Sequence, residues 1–200
     1  MSLKIAVVGT GPALPRDRAL LELLYGTGAR VSEVVGLNLG DVAEAVDRGG
    51  TPLIRVLGKG SKERVVPLGR LARAALQQWL SGEGRPHLEP KKWKVRSDAD
   101  AVFLNARGGR LTRVGAFGVV KKYADRVGLA DRVSPHVLRH SCATHMLSRG
   151  ADIRVVQELL GHASVATTQR YTKVSPEHLR RAYEDAHPRA GTAAAKEDVA

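Results

Sequence analysis

The residues with the richest chemistry lie between Ser134 and Tyr171, a stretch holding four of the seven histidines and the only cysteine. Three short pieces of it stand out: His136-Val137-Leu138-Arg139, Leu160-Gly161-His162 and Tyr171. Metal binding is the first chemistry to weigh. His136 and His140 stand four apart, and Cys142, His145 and His162 could complete a zinc site. The glutamate of an HExxH helix is absent, however, and Leu138 and Arg139 fill the middle of the pair, where a guanidinium repels a cation. Nucleophilic hydrolysis fits no better. Cys142 sits in mid-helix among apolar neighbours and reads as a small packed residue, and His140 and His145 read as core or hydrogen-bonding residues.

A phosphodiester substrate gives these residue types a joint use. Phosphoryl transfer gathers charge on the non-bridging oxygens, which guanidinium forks and N–H donors meet without a metal. Arg30 and Arg139 offer two forks, and His136 and His162 offer two imidazole donors. Tyr171, nine residues after His162, is a nucleophile, and Lys59 in Gly58-Lys59-Gly60 could protonate a leaving alkoxide. Taken singly, each has a plainer reading. Arg30 could be a surface arginine paired with Glu33, three residues on, and Lys59 an idle hairpin lysine.

The elements that must position these groups follow from periodicity and punctuation. Residues 4–8 could be a short strand, and Gly9-Thr10-Gly11 lacks the third glycine of a dinucleotide loop, so residues 1–15 read as an irregular or cloning-derived leader. Pro12 and Pro15 oppose a helix there. Asp17 is expected to cap a helix through Tyr25 that buries Leu20, Leu21, Leu23 and Leu24, and a second helix starts near Ala29. Residues 42–46, 52–57 and 63–67 are aliphatic and β-branched, which predicts a small antiparallel sheet with Lys59 at a hairpin tip. Residues 71–80 read as an amphipathic helix. Residues 81–100 form a polar connection in which Lys91, Lys92, Lys94 and Arg96 surround Trp93, either a nucleic-acid contact or a solvated loop. A short hairpin over 101–112 and a helix over 114–127 follow. Ser134 and Pro135 open the next helix, Gly150 ends it, Asp152 caps another, Gly161 closes that one, and Ser164 caps a helix into Tyr171. Residues 176–186 are a further helix, and 189–200 read as a disordered tail. The fold class is therefore mainly α with a small antiparallel sheet.

The chain has 200 residues and 43% hydrophobic content, enough for one domain with its own core. Thirty-two Lys and Arg against 20 acids give a net charge of +12, which favours a polyanionic partner through counterion release. A single cysteine excludes an internal disulfide. No apolar run approaches the ~20 residues that span a bilayer, and the N-terminus lacks a signal pattern, so a cytoplasmic location is expected.

The ordered set TGARVSE (27–33), GKGSKERVVPLG (58–69), PHVLRHSCATH (135–145), LLGHASVATTQRY (159–171) and HPRA (187–190) resembles the tyrosine site-specific recombinases of the phage-integrase family, most closely the bacterial Xer branch. The resemblance spans roughly residues 16–190. It implies the tyrosine recombinase catalytic-domain fold over 16–188 and an active site of Arg30, Lys59, His136, Arg139, His162 and Tyr171, with Glu33 in support. It further implies attack by Tyr171 on a DNA phosphate to give a 3′-phosphotyrosine, Lys59 as general acid, and no metal, ATP or other cofactor. The partners it implies are double-stranded DNA and sister recombinase subunits, joined through the C-terminal helix in a cyclic tetramer. Chromosome dimer resolution at the nucleoid is the expected task; a mobile-element integrase or a non-catalytic DNA-binding domain are the alternatives. The family's N-terminal core-binding domain is expected to be absent, because nothing before residue 16 could form it.

Overall fold

The computed structural model describes residues 11, 13–58, 60, 63–161 and 174–190. Eight α-helices and one two-stranded sheet are assigned among them: α1 (Leu14–Thr27), α2 (Val31–Gly36), α3 (Leu39–Asp47), β1 (Leu53–Leu57), β2 (Glu63–Pro67), α4 (Arg70–Leu80), α5 (Arg113–Arg126), α6 (Pro135–Ser148), α7 (Ile153–Leu160) and α8 (Pro176–Ala186). The mainly helical class with a small antiparallel sheet is what the sequence predicts. No helix among the described residues is long and apolar enough to cross a membrane.

The core forms around α1, whose Ala19, Leu20, Leu23 and Leu24 are all but inaccessible. It packs between α4, which presents Ala72, Leu76 and Trp79, and α6, which presents Leu138, Cys142 and Met146. β1 and β2 pair antiparallel with Leu53 opposite Pro67 and Leu57 opposite Glu63. Ile54, Val56 and Val66 turn inward and place the hairpin beside the C-terminal end of α7. The 101–112 hairpin is held by the bridge between Leu104 and Arg110.

Three local expectations need correction. Residues 42–46 are helical, inside α3, and not a strand. Asp41 Oδ2 accepts from the Asn38 backbone N–H at 2.8 Å, and Val42, Ala45 and Val46 bury one helical face. Asp17 is not a cap. The first helix begins at Leu14, Pro15 occupies its first turn where a missing N–H costs nothing, and Asp17 is fully buried between Arg16, Lys122 and Tyr123. Arg189 and Ala190, placed in the tail by the sequence, are packed: Arg189 pairs with Glu22 at 3.4 Å and the Ala190 carbonyl accepts from the Arg70 N–H. Apart from these corrections, α8 lies on its own chain. Leu179, Tyr183 and Ala186 are buried, Tyr183 Oη donates to the Gly26 carbonyl at 2.8 Å, and its ring stacks on His187 at 4.5 Å.

Candidate active site

The C-terminal end of α7 is the meeting point. A helix leaves its last carbonyls unpaired and carries a partial negative charge there, so cations gather at such an end. Here three arginines from distant segments each take one carbonyl. Arg64 Nε, on β2, donates to Leu159 O at 3.0 Å; Arg139 Nη2, on α6, donates to Leu160 O at 2.5 Å; Arg30 Nη2, at the start of α2, donates to Gly161 O at 3.3 Å. His162 is the next residue in the chain. Gly161 is left-handed at φ 62°, and a Cβ there would stand 2.9 Å from Arg64 Cδ.

One carboxylate serves the cluster. Glu33, 3% exposed, accepts at Oε2 from the Arg30 backbone N–H (2.6 Å) and Arg64 Nη2 (2.8 Å), and at Oε1 from Arg30 Nη1 (3.0 Å) and Arg64 Nη1 (2.5 Å). Burial pushes the Glu33 carboxyl up, but the hydrogen bonds from Arg64 and Arg30 outweigh it and hold the group below its usual range. Arg139 is 8% exposed, and its Nη1 donates to the Gly28 carbonyl. Burial first, then the nearby Arg30 and Arg64 charges, lower it to about 10. Three guanidiniums beside one carboxylate, which two of them hold, make an electropositive hollow suited to an oxyanion.

The local sequence explains the placement. Arg30 is the N-cap residue of α2, held by its backbone N–H, which donates to Glu33 Oε2. The Ser134 hydroxyl accepts from the Val137 N–H, which starts α6 and puts His136 in its first turn with Arg139 one turn on. His136 is solvent-exposed and, with Arg139 and His140, lines a cleft of about 260 Å³ between α6 and α7. Asp152 caps α7 by accepting from Arg154 N–H at 2.6 Å.

Of the residues singled out from the sequence, Arg30, Glu33, His136 and Arg139 are therefore on one side of the molecule around the α7 terminus. Lys59, His162 and Tyr171, and the Ser164 cap, lie outside the described residues. Cys142 is buried in the core and its thiol is pushed up to about 12, chiefly by desolvation. His145 packs as expected, hydrogen-bonded through Nδ1 to Tyr25 Oη at 2.7 Å. His140, expected as a core or hydrogen-bonding residue, is exposed on the cleft. Among the described residues no three His, Cys, Asp or Glu side chains come together as a metal site would require.

Arg64 is the residue that sequence reasoning passed over. A signal for it existed: with period two along β2 it shares the core-facing side with Val66, and a charge at such a position needs a buried partner.

Residues 5–178 match the model of the phage integrase family. The chain is 52% identical over 175 residues to tyrosine recombinase XerD of Corynebacterium glutamicum, covering 88% of this chain and 54% of that protein. It is 55% identical over 183 residues to tyrosine recombinase XerD of Mycobacterium tuberculosis H37Rv, covering 90% and 55%. The chain thus spans about half the length of the curated relatives it matches. Among solved structures it resembles the XerH site-specific recombinase bound to difH substrate in a pre-cleavage complex, with a TM-score of 0.65, 31% identity, and coverage of 90% of this chain and 49% of that one. This chain belongs to the phage integrase family, among the tyrosine recombinases of the Xer type.

Proposed function

We propose that this chain is the catalytic domain, over residues 14–190, of a Xer-type site-specific recombinase that cuts and rejoins DNA through a 3′-phosphotyrosine. The observation that carries this reading is the convergence of Arg30, Arg64 and Arg139 on three successive carbonyls immediately before His162. Arg30 keeps 40% of its side chain exposed, so its remaining donors can meet a phosphate oxygen. Arg139 carries a second positive charge just behind, and His136 and His162 add imidazole donors.

In the reaction Tyr171 Oη gives its proton to a water molecule and attacks the phosphorus. The P–Oη bond forms, the P–O5′ bond breaks, and Lys59 passes a proton to the departing 5′ oxygen. Two negative non-bridging oxygens, joined by developing charge on the bridging ones, are held by the guanidiniums and imidazoles. The phosphotyrosine conserves the bond energy, so attack by another 5′-hydroxyl reseals DNA without a nucleotide cofactor. Glu33 acts on Arg30 and touches no substrate. The partners are double-stranded DNA and sister subunits in a cyclic tetramer, for chromosome dimer resolution on the cytoplasmic nucleoid. Exchange of the C-terminal helix between subunits would require α8 to leave the seat it takes on its own chain.

The test is a nicked suicide duplex carrying a Xer recombination site, from which the cut strand diffuses away. The wild-type chain should form a denaturant-resistant protein–DNA adduct in the presence of chelator, and Tyr171→Phe should form none. An adduct with the phenylalanine variant removes Tyr171 as nucleophile, and no adduct with wild type removes the activity.

A further inference from the structure

We infer that Arg64 is a positioning residue for strand cleavage: it saturates the Glu33 carboxylate and so leaves the outer edge of Arg30 free for the phosphate. The inference rests on the functional reading above and deepens it. Its basis is how the donors are shared. Arg64 holds Glu33 through both Nη atoms, at 2.5 and 2.8 Å, whereas Arg30 reaches the same carboxylate with one side-chain nitrogen at 3.0 Å. The remaining donor direction of Arg64, Nε, is spent on Leu159 O. With every nitrogen engaged and a side chain 10% exposed, Arg64 presents little to a substrate. Arg30, four times as exposed, presents more.

The charges give the reason. A bidentate pair is the strong form of the guanidinium–carboxylate contact. A buried carboxylate with a single cationic partner draws that partner into the bidentate arrangement. Take Arg64 away, and Glu33 turns to Arg30, rotating the guanidinium from the Gly161 carbonyl and from the space where a phosphate would sit. Arg64 prevents this by already occupying both oxygens. It also links β2, which leads out of the Lys59 hairpin, to the end of α7, which leads into His162. Two parts of the site that are about a hundred residues apart in sequence therefore share one rigid support.

The experiment compares wild type, Arg64→Met, Glu33→Gln and the double variant in single-turnover cleavage of the nicked suicide duplex, alongside equilibrium DNA binding and thermal melting. Methionine keeps the stem volume and removes the charge. Arg64→Met should cleave roughly 10- to 100-fold more slowly, the range expected for misplacing one group by about an ångström, with DNA affinity within about threefold of wild type. In that background Glu33→Gln removes the charge that captures Arg30, so the double variant should cleave at least about fivefold faster than Arg64→Met alone. A merely structural role for Arg64 predicts the opposite, because a second buried substitution only adds damage. The proposal is overturned if Arg64→Met cleaves within twofold of wild type, or if the double variant is no faster than the single one. Should Arg64→Met not fold, Arg64→Lys carries the same comparison, since one ammonium cannot span both carboxylate oxygens. Failure of wild type to form any adduct is a separate result: it refutes the cleavage activity itself, and the assignment of Arg64 falls with it.

Discussion

Replacing Gly161 with alanine separates the cost of a backbone conformation from the cost of disturbing the arginine cluster. Gly128 provides the control. The two glycines have nearly the same left-handed backbone, φ 62° and 69°. An added Cβ at Gly128 meets nothing within 4 Å, so Gly128→Ala reports the backbone penalty alone, about 1–2 kcal/mol. At Gly161 the same atom would lie 2.9 Å from Arg64 Cδ, 3.0 Å from Nε and 3.3 Å from Cζ. Carbon atoms in ordinary contact stand about 3.5–4.0 Å apart, so Arg64 must retreat by roughly half an ångström or more. Its Nε is bonded to Leu159 O and its Nη atoms to Glu33, so the retreat stretches charge-assisted bonds. Losing one such bond adds about 1.5–3 kcal/mol. Gly161→Ala should therefore cost about 2.5–5 kcal/mol in all. At about 2–4 °C per kcal/mol for a chain of this size, that is a fall in Tm of roughly 5–20 °C, against roughly 2–8 °C for Gly128→Ala. Thermal denaturation followed by circular dichroism at neutral pH decides it. Equal losses in the two variants, within about 0.5 kcal/mol, would refute the claim that Arg64 is held against the α7 terminus.

Two further outcomes are expected. Asp17→Ala leaves the Arg16 guanidinium, 8% exposed, without its carboxylate, and should destabilise the chain by about 3–5 kcal/mol in urea denaturation, since a buried charge loses its partner. Burial lowers the His187 imidazole to about 3 from 6.5, so its contribution to stability is complete above pH 6.5 and is lost as pH falls from there toward 3. Between pH 7 and 5 this amounts to about 2 kcal/mol; His187→Phe, which keeps a ring against Tyr183, should flatten that part of the Tm profile, and an unchanged slope would exclude His187 as its source.

Much of the helical framework was legible because its signals are local. Ser134 and Asp152 cap their helices through bonds to N–H groups two or three residues away, and Gly161 ends α7 in a conformation that other residues resist. Where a local signal was ambiguous the reading failed. Residues 42–46 carry two valines and three residues common in helices, Ala43, Glu44 and Ala45, and the choice fell to the Asn38–Asp41 bond and the burial of one face. Asp17 has the type of a cap, yet its partners Lys122 and Tyr123 come from α5, more than a hundred residues away.

The sequence by itself determined which residue types could handle a phosphodiester, and in what order, because residue identity and motif spacing are properties of the chain. It also determined the helix ends at Ser134, Asp152 and Gly161, whose energies are settled within one or two turns of backbone. Only the tertiary structure decided that Arg30, Arg64 and Arg139 meet at one helix end, that a single buried Glu33 is divided between two of them, and that α8 rests on its own chain. These are contacts between segments distant in sequence. Their strength comes from burial and charge at the meeting point, which no stretch of sequence carries alone.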